Sequence, residues 1–211
     1  MITRRRVLYV AVGAAVARAN FVKQALAQNI SPDVLAEAGP LGDVWLGDKD
    51  APVTIIEYAS MPCSHCATFH TKTWPALKER YVDTGKVRFT LREFPIGPLA
   101  TAAFMQARCA GKTRYYPITD LLFERQADWA FTEHPVDKLR MLMQQAGIEQ
   151  QQFDNCLRNQ EIYDAINVVK NKGAEVLQID STPTFFVNGR RLKGDMPIET
   201  LSQVVDPLIS K

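Results

Sequence analysis

Apolar and polar positions alternate in short runs near the two ends of the chain and recur with helical spacing through its middle. Val53-Thr-Ile-Ile-Glu-Tyr58 is rich in β-branched residues and bounded by Pro52 and by the break Ser60-Met61-Pro62, which predicts a buried strand. Val87-Arg-Phe-Thr-Leu-Arg-Glu93 alternates with period two and predicts a second. Between them an irregular helical stripe of Phe69, Trp74 and Leu77 starts at Cys63, carries Pro75 as a predicted kink or break, and closes at Gly85. From residue 98 to about 179 the spacing is helical. Helices are predicted over 99–110, 115–129 (despite Pro117), 136–146, 149–158 and 162–177, with Gly111, Pro135 and Gly147 as breaks. Strand character returns in Thr184-Phe-Phe-Val187 and Arg190-Arg-Leu-Lys193. They are joined by Asn188-Gly189, the chemistry of a two-residue type I′ hairpin. A last amphipathic helix is predicted over 198–209.

The order β-α-β, helical block, β-β-α is that of an α/β chain with a thioredoxin-like fold carrying an inserted all-helical subdomain. It divides the chain into a lead-in over 28–46, a first thioredoxin-like part over 47–97, the insertion over 98–179 and a second part over 180–211. The lead-in is polar and broken by Pro32, Gly39, Pro40 and Gly42, as an ordered entry or a short linker would be.

Charge changes the picture of the N-terminus. Residues 1–27 hold Arg4, Arg5, Arg6, Arg18 and Lys23 and no acid. The whole chain has 25 basic and 23 acidic residues for a formal +2, so residues 28–211 carry a formal −3. A charged start, an apolar stretch from Val7 to Ala17 and an A-x-A site at Ala25-Leu26-Ala27 have the anatomy of an export signal. Thr-Arg-Arg-x-Val-Leu resembles a twin-arginine signal. The alternative is an amphipathic or uncleaved anchor helix. The apolar stretch is about half the ~20 residues a membrane-spanning helix needs. A mildly acidic remainder gives no surface suited to nucleic acid.

Four cysteines follow this leader: Cys63 and Cys66 in a C-x-x-C pair, and Cys109 and Cys156 far apart. Export permits disulfides, and the adjacency of the first two favours 63–66 with 109–156 among the three pairings. Cys109 and Cys156 read either as a structural bridge or as two buried free thiols. Cys63-Ser64-His65-Cys66 sits where a strand feeds a helix, with Cys63 near the N-cap, so free N–H groups and the positive helix end face its sulfur. The helix end alone supplies about 0.3–1 kcal/mol, up to about 2, so a low thiol pKa requires direct hydrogen bonds and a donor or positive charge from His65. A metal site is the competing reading of this motif, with His70 four residues beyond Cys66, but a fourth ligand is missing. A purely structural disulfide is another.

Glu57 lies inside the apolar strand, on the face of Val53 and Ile55. A charge there is costly unless paired. Buried, it suits proton exchange with Cys66; near the surface, it would pair with a Lys or Arg. Thr182-Pro183 precedes the third strand, where a proline lacking an N–H belongs at a first or edge residue. A cis bond there would leave the Thr182 backbone groups to an extended peptide.

Gly47-Asp-Lys-Asp-Ala-Pro-Val-Thr-Ile-Ile-Glu-Tyr58, Cys63-Ser-His-Cys66, Arg92-Glu-Phe-Pro95 and Ser181-Thr-Pro-Thr-Phe-Phe-Val-Asn-Gly189 together resemble the DsbA-like thiol–disulfide oxidoreductases of the bacterial periplasm. The resemblance runs from about Leu46 to the C-terminus. It implies Cys63 as the exposed reactive cysteine, Cys66 as the resolving one, Glu57 as the buried acid and Pro183 as a cis-proline facing the pair. It departs at Ser64, where many members have proline, and at Thr182, where members differ. The expected function is disulfide introduction into exported proteins. The expected partners are reduced, unfolded exported polypeptides and a quinone-linked membrane oxidase of the DsbB type. A monomer in the periplasm, without cofactor or metal, completes the expectation. The alternatives are a periplasmic reductase or isomerase, and a metal- or peptide-binding module of the same fold.

Overall fold

A computed structural model describes residues 30–210. The export signal expected over 1–27 lies outside the described residues. Five strands there form one mixed sheet: β1 (Trp45–Leu46), β2 (Val53–Ala59), β3 (Val87–Glu93), β4 (Thr184–Val187) and β5 (Arg190–Lys193), in the spatial order β1-β3-β2-β4-β5. β2 and β3 run parallel with Glu57 opposite Leu91, and the other neighbours are antiparallel. The hairpin between β4 and β5 turns through Asn188 and Gly189, both at positive φ (44° and 87°), as its sequence predicts.

The crossover from β2 to β3 is one long helical run. It begins as α2 (Ser64–Thr68), widens into a π turn over Phe69–Thr73, continues as α3 (Trp74–Leu77) and widens again over Lys78–Val82. Pro75 has no N–H to donate, and the wide turn just before it absorbs the irregularity, so the helical run continues through the proline. Six α-helices separate β3 from β4, the last running on into a π turn over Lys172–Val176: α4 (Pro98–Cys109), α5 (Tyr115–Glu124), α6 (Gln126–Trp129), α7 (Pro135–Gln145), α8 (Gln150–Leu157) and α9 (Gln160–Asn171). The helix expected over 115–129 is two, because Arg125 leaves helical geometry (φ −102°, ψ 19°). Pro117 sits in the first turn of α5, where no N–H is required. α10 (Ile198–Ile209) closes the fold.

Both faces of the sheet are covered, which explains why β2 and β3 are buried along almost their whole length. One face carries the larger core, in which Val53, Ile55 and Ala59 meet Phe69, Leu77, Phe104, Phe123 and Leu201. Ile56, Tyr58 and Phe186 on the other face pack with Leu35, Val169 and Leu177. The lead-in packs onto the sheet. It forms the short helix α1 (Pro32–Ala36) and the edge strand β1. A buried ion pair ties it down: Arg92 donates to both carboxylate oxygens of Asp43 at 2.7 and 2.9 Å, and to the Leu35 carbonyl at 2.8 Å.

Candidate active site

Cys63 caps the N-terminus of α2 in extended geometry (φ −77°, ψ 118°) at the C-terminal end of β2. Its loop is fixed from several sides. The Cys63 N–H donates to the Ser60 carbonyl at 3.0 Å, and the Ile96 N–H donates to Ser60 Oγ at 3.1 Å. From α6, Gln126 Nε2 donates to the carbonyls of Met61 (2.6 Å) and Cys63 (3.0 Å). The helical segment thus acts directly on the redox loop. Gln126 and Ser60 are contributors that sequence reasoning missed, and a glutamine sixty residues downstream in a helical run carries no signal of this role.

The two sulfurs have unlike surroundings. Cys63 is half-buried and Cys66 fully buried, and both are free thiols in this structure. A hydrogen bond from the Cys66 thiol favours the Cys63 thiolate most. Partial burial opposes it, and Thr182 with the backbone N–H groups of Cys66 and His65 adds to it. Together they bring Cys63 down to about 5. As a thiol, Cys63 donates to the Thr182 carbonyl at 3.3 Å. Ionisation gives that bond up, and the surrounding donors take over. Cys66 moves the opposite way: burial pushes its thiol well above the ordinary value, helped by Cys63 and by the Glu57 carboxylate. One sulfur is therefore held ready as an anion and leaving group, the other as a protonated thiol.

His65 contributes its backbone N–H to this arrangement. Its imidazole, expected to supply a donor or charge to the sulfur, is instead exposed and bonded through Nδ1 to Asp195 Oδ1 at 2.9 Å. Asp195 is 130 residues away in sequence and lies in the loop after β5, so no spacing announces the contact. The Thr182–Pro183 bond is cis and leads into β4. The Thr182 carbonyl is already in contact with Cys63, so of its backbone groups this one is not simply free for a peptide.

Glu57 is fully buried on β2, against the expectation's surface alternative. Its partner is neither Lys nor Arg but His70, with Glu57 Oε2 and His70 Nε2 2.9 Å apart. The ring that could have served as a metal ligand is thereby engaged. Among the described residues no group of three or more His, Cys, Asp or Glu side chains is arranged to hold a metal ion. Cys109 at the end of α4 and Cys156 on α8 are joined by a disulfide with a Cα–Cα distance of 6.1 Å, within the insertion. Among the described residues no helix is long and apolar enough to cross a membrane.

Comparison with known proteins agrees with this geometry. A family model described as Thioredoxin matches residues 41–207. A relative from Rickettsia conorii, whose name describes it as a protein-disulfide oxidoreductase, is 33% identical over 170 residues, covering 80% of this chain. The match spans 61% of the length of that relative, so the chain corresponds to only part of it. The crystal structure of alpha-DsbA1 from Wolbachia pipientis has a TM-score of 0.75 to this fold at 29% identity, covering 80% of this chain and 91% of that one. The oxidised form of BdbD from Bacillus subtilis has a TM-score of 0.71 at 20% identity, covering 80% and 94%. That likeness is one of fold.

Proposed function

The chain belongs to the thioredoxin-fold, DsbA-like family, and on that premise we propose that it introduces disulfides into other proteins through a Cys63–Cys66 disulfide. One observation carries this most directly: Cys63 is held at about 5 while its buried partner Cys66 stays protonated. In the oxidised form a substrate thiolate attacks Cys63 Sγ, the Cys63–Cys66 bond breaks, and its electron pair goes to Cys66, which takes up a proton. A second substrate thiolate then attacks the substrate sulfur of the mixed disulfide. The substrate disulfide forms and Cys63 leaves as the stabilised thiolate. Such a leaving group favours the direction that oxidises the substrate.

The cis Thr182–Pro183 segment lies beside the Cys63 sulfur, which supports docking of an extended chain there by strand addition. Reduced, unfolded exported polypeptides are the proposed substrates. Re-oxidation by a quinone-linked membrane oxidase of the DsbB type, a periplasmic location and a monomeric state follow from family membership as proposals. Reduced, denatured ribonuclease mixed with the oxidised chain tests the activity. Return of ribonuclease activity at a rate that Cys63→Ser abolishes is expected. A rate no greater than that of buffer would overturn the proposal.

A further inference from the structure

Beneath the redox pair lies a buried row of ionisable side chains that thiol exchange at Cys63 does not use. Glu57, on β2, has Oε2 bonded to His70 Nε2 at 2.9 Å, while its Oε1 is buried without a partner. The side chain of His70 is 1% exposed and sits in the first π turn, one turn beyond Cys66. Its ring stacks on Phe123 of α5, with centroids 4.1 Å apart and planes at 13°, and has Phe69 and Trp74 at its edges. On the far side of the ring, Nδ1 faces Asp120 Oδ1 of α5 at 3.8 Å. Asp120 reaches solvent, with 36% of its side chain exposed. Glu57 also acts electrostatically on Cys66 and on Tyr116 of α5.

Stability alone does not account for this row. A buried ion pair is often matched or bettered by apolar residues of the same volume, and removing one partner strands a charge. Apolar neighbours fix the ring against Phe123, and two carboxylates flank it on its two nitrogens. That is the environment of an imidazolium, and burial, which works against the charge, is overcome by Glu57 and Asp120.

We propose that His70, backed by Asp120, is a positioning residue for the resolving half-reaction: as a buried cation it keeps Glu57 an ionised carboxylate, so that Glu57 can take the proton of the Cys66 thiol. The inference rests on the exchange chemistry proposed above and assigns it two further residues. In re-oxidation by a small disulfide, Cys63 thiolate first forms a mixed disulfide. Glu57 then takes the Cys66 proton, the Cys66 sulfur attacks Cys63 Sγ, the bond from Cys63 to the outer sulfur breaks, and that sulfur leaves as a thiolate with the electron pair. Without a cation beside it, a buried carboxylate takes up a proton from solvent instead and is lost as a base.

The experiment follows the reduced chain with excess oxidised glutathione. Acid-quenched samples are weighed intact, giving the rate at which the Cys63–glutathione adduct collapses between pH 5 and pH 8. His70→Gln keeps an N–H for Glu57 but carries no charge. Its adduct should collapse about tenfold more slowly than wild type near pH 6, a partial loss of a general base's contribution, and approach wild type near pH 8. Coincident profiles would overturn the inference while leaving the exchange reading intact. A wild-type chain that forms no adduct and no Cys63–Cys66 disulfide would overturn both. Should His70→Gln fail to fold, the wild-type ring decides: nitrogen-15 shifts at pH 7 must show both ring nitrogens protonated, and a neutral His70 overturns the inference.

Discussion

Between pH 5 and pH 8 the reduced chain should gain stability relative to its own oxidised form. Cys63 titrates at about 5 in the folded reduced chain, against an ordinary 9.0 once unfolded. Above about pH 5 the folded state therefore holds fewer protons at this position than the unfolded one, and stability rises with pH. The contribution is complete above the unfolded value and is lost as pH falls through about 5. For a fully dry group, three pH units at about 1.4 kcal/mol each would give about 4 kcal/mol. Cys63 is only half-buried, and discounting for solvent leaves about 2 kcal/mol. For a chain of this size that is a melting difference of about 4–8 °C. The oxidised form lacks this thiol, so groups that titrate alike in both forms cancel in the difference. Cys66, held well above the ordinary value, stays protonated throughout the window. Thermal unfolding of both forms by circular dichroism, at each pH and with the Cys109–Cys156 bridge verified by mass, measures the effect. A reduced-minus-oxidised difference that is flat from pH 5 to pH 8 would refute the origin assigned to the Cys63 thiolate.

Cys66→Ser should leave Cys63 able to attack a disulfide-bonded substrate, expelling one of its sulfurs as a thiolate, but unable to be released from within, so mixed disulfides accumulate and are seen by non-reducing electrophoresis; their absence would remove Cys66 as the resolving cysteine. Replacing Cys109 and Cys156 together by alanine opens a link across 47 residues, and the chain-entropy model gives a loss of at most about 4 kcal/mol, read by urea unfolding, with exchange at Cys63 retained. Gln126→Leu strips the donor from the Met61 and Cys63 carbonyls; leaving such groups unpaired costs about 1–3 kcal/mol, and an unchanged urea midpoint would show that α6 does not hold the redox loop.

Local signals in the sequence carried most of the fold. The run from Val53, the alternation from Val87 and the Asn188-Gly189 turn each act within a few residues, and the strands and hairpin lie where these place them. β1 escaped because two residues, Trp45 and Leu46, cannot display a period, and their pairing with Thr90 and Phe89 is decided by tertiary contact. The break at Arg125 escaped because the apolar spacing of 115–129 continues smoothly across it. At the site, Cys63 and Cys66 were visible from spacing alone. Glu57 was visible as a misplaced charge, but its partner was not: His70 lies thirteen residues on and shares no motif with it. Asp120, Gln126 and Asp195 come from other elements and are ordinary polar residues in the sequence. The direction of the His65 ring was similarly hidden, since Asp195 draws it outward and leaves the sulfur to backbone N–H groups and neighbouring side chains.

A thiolate held this firmly should make the Cys63–Cys66 disulfide a strong oxidant, and the reduction potential tests that directly. The chain is equilibrated with glutathione buffers at pH 7, quenched in acid, and scored by mass for the Cys63–Cys66 disulfide. The expected potential lies well above the range of about −180 to −210 mV typical of an oxidising compartment. A value near that of thioredoxin, about −270 mV, would contradict it.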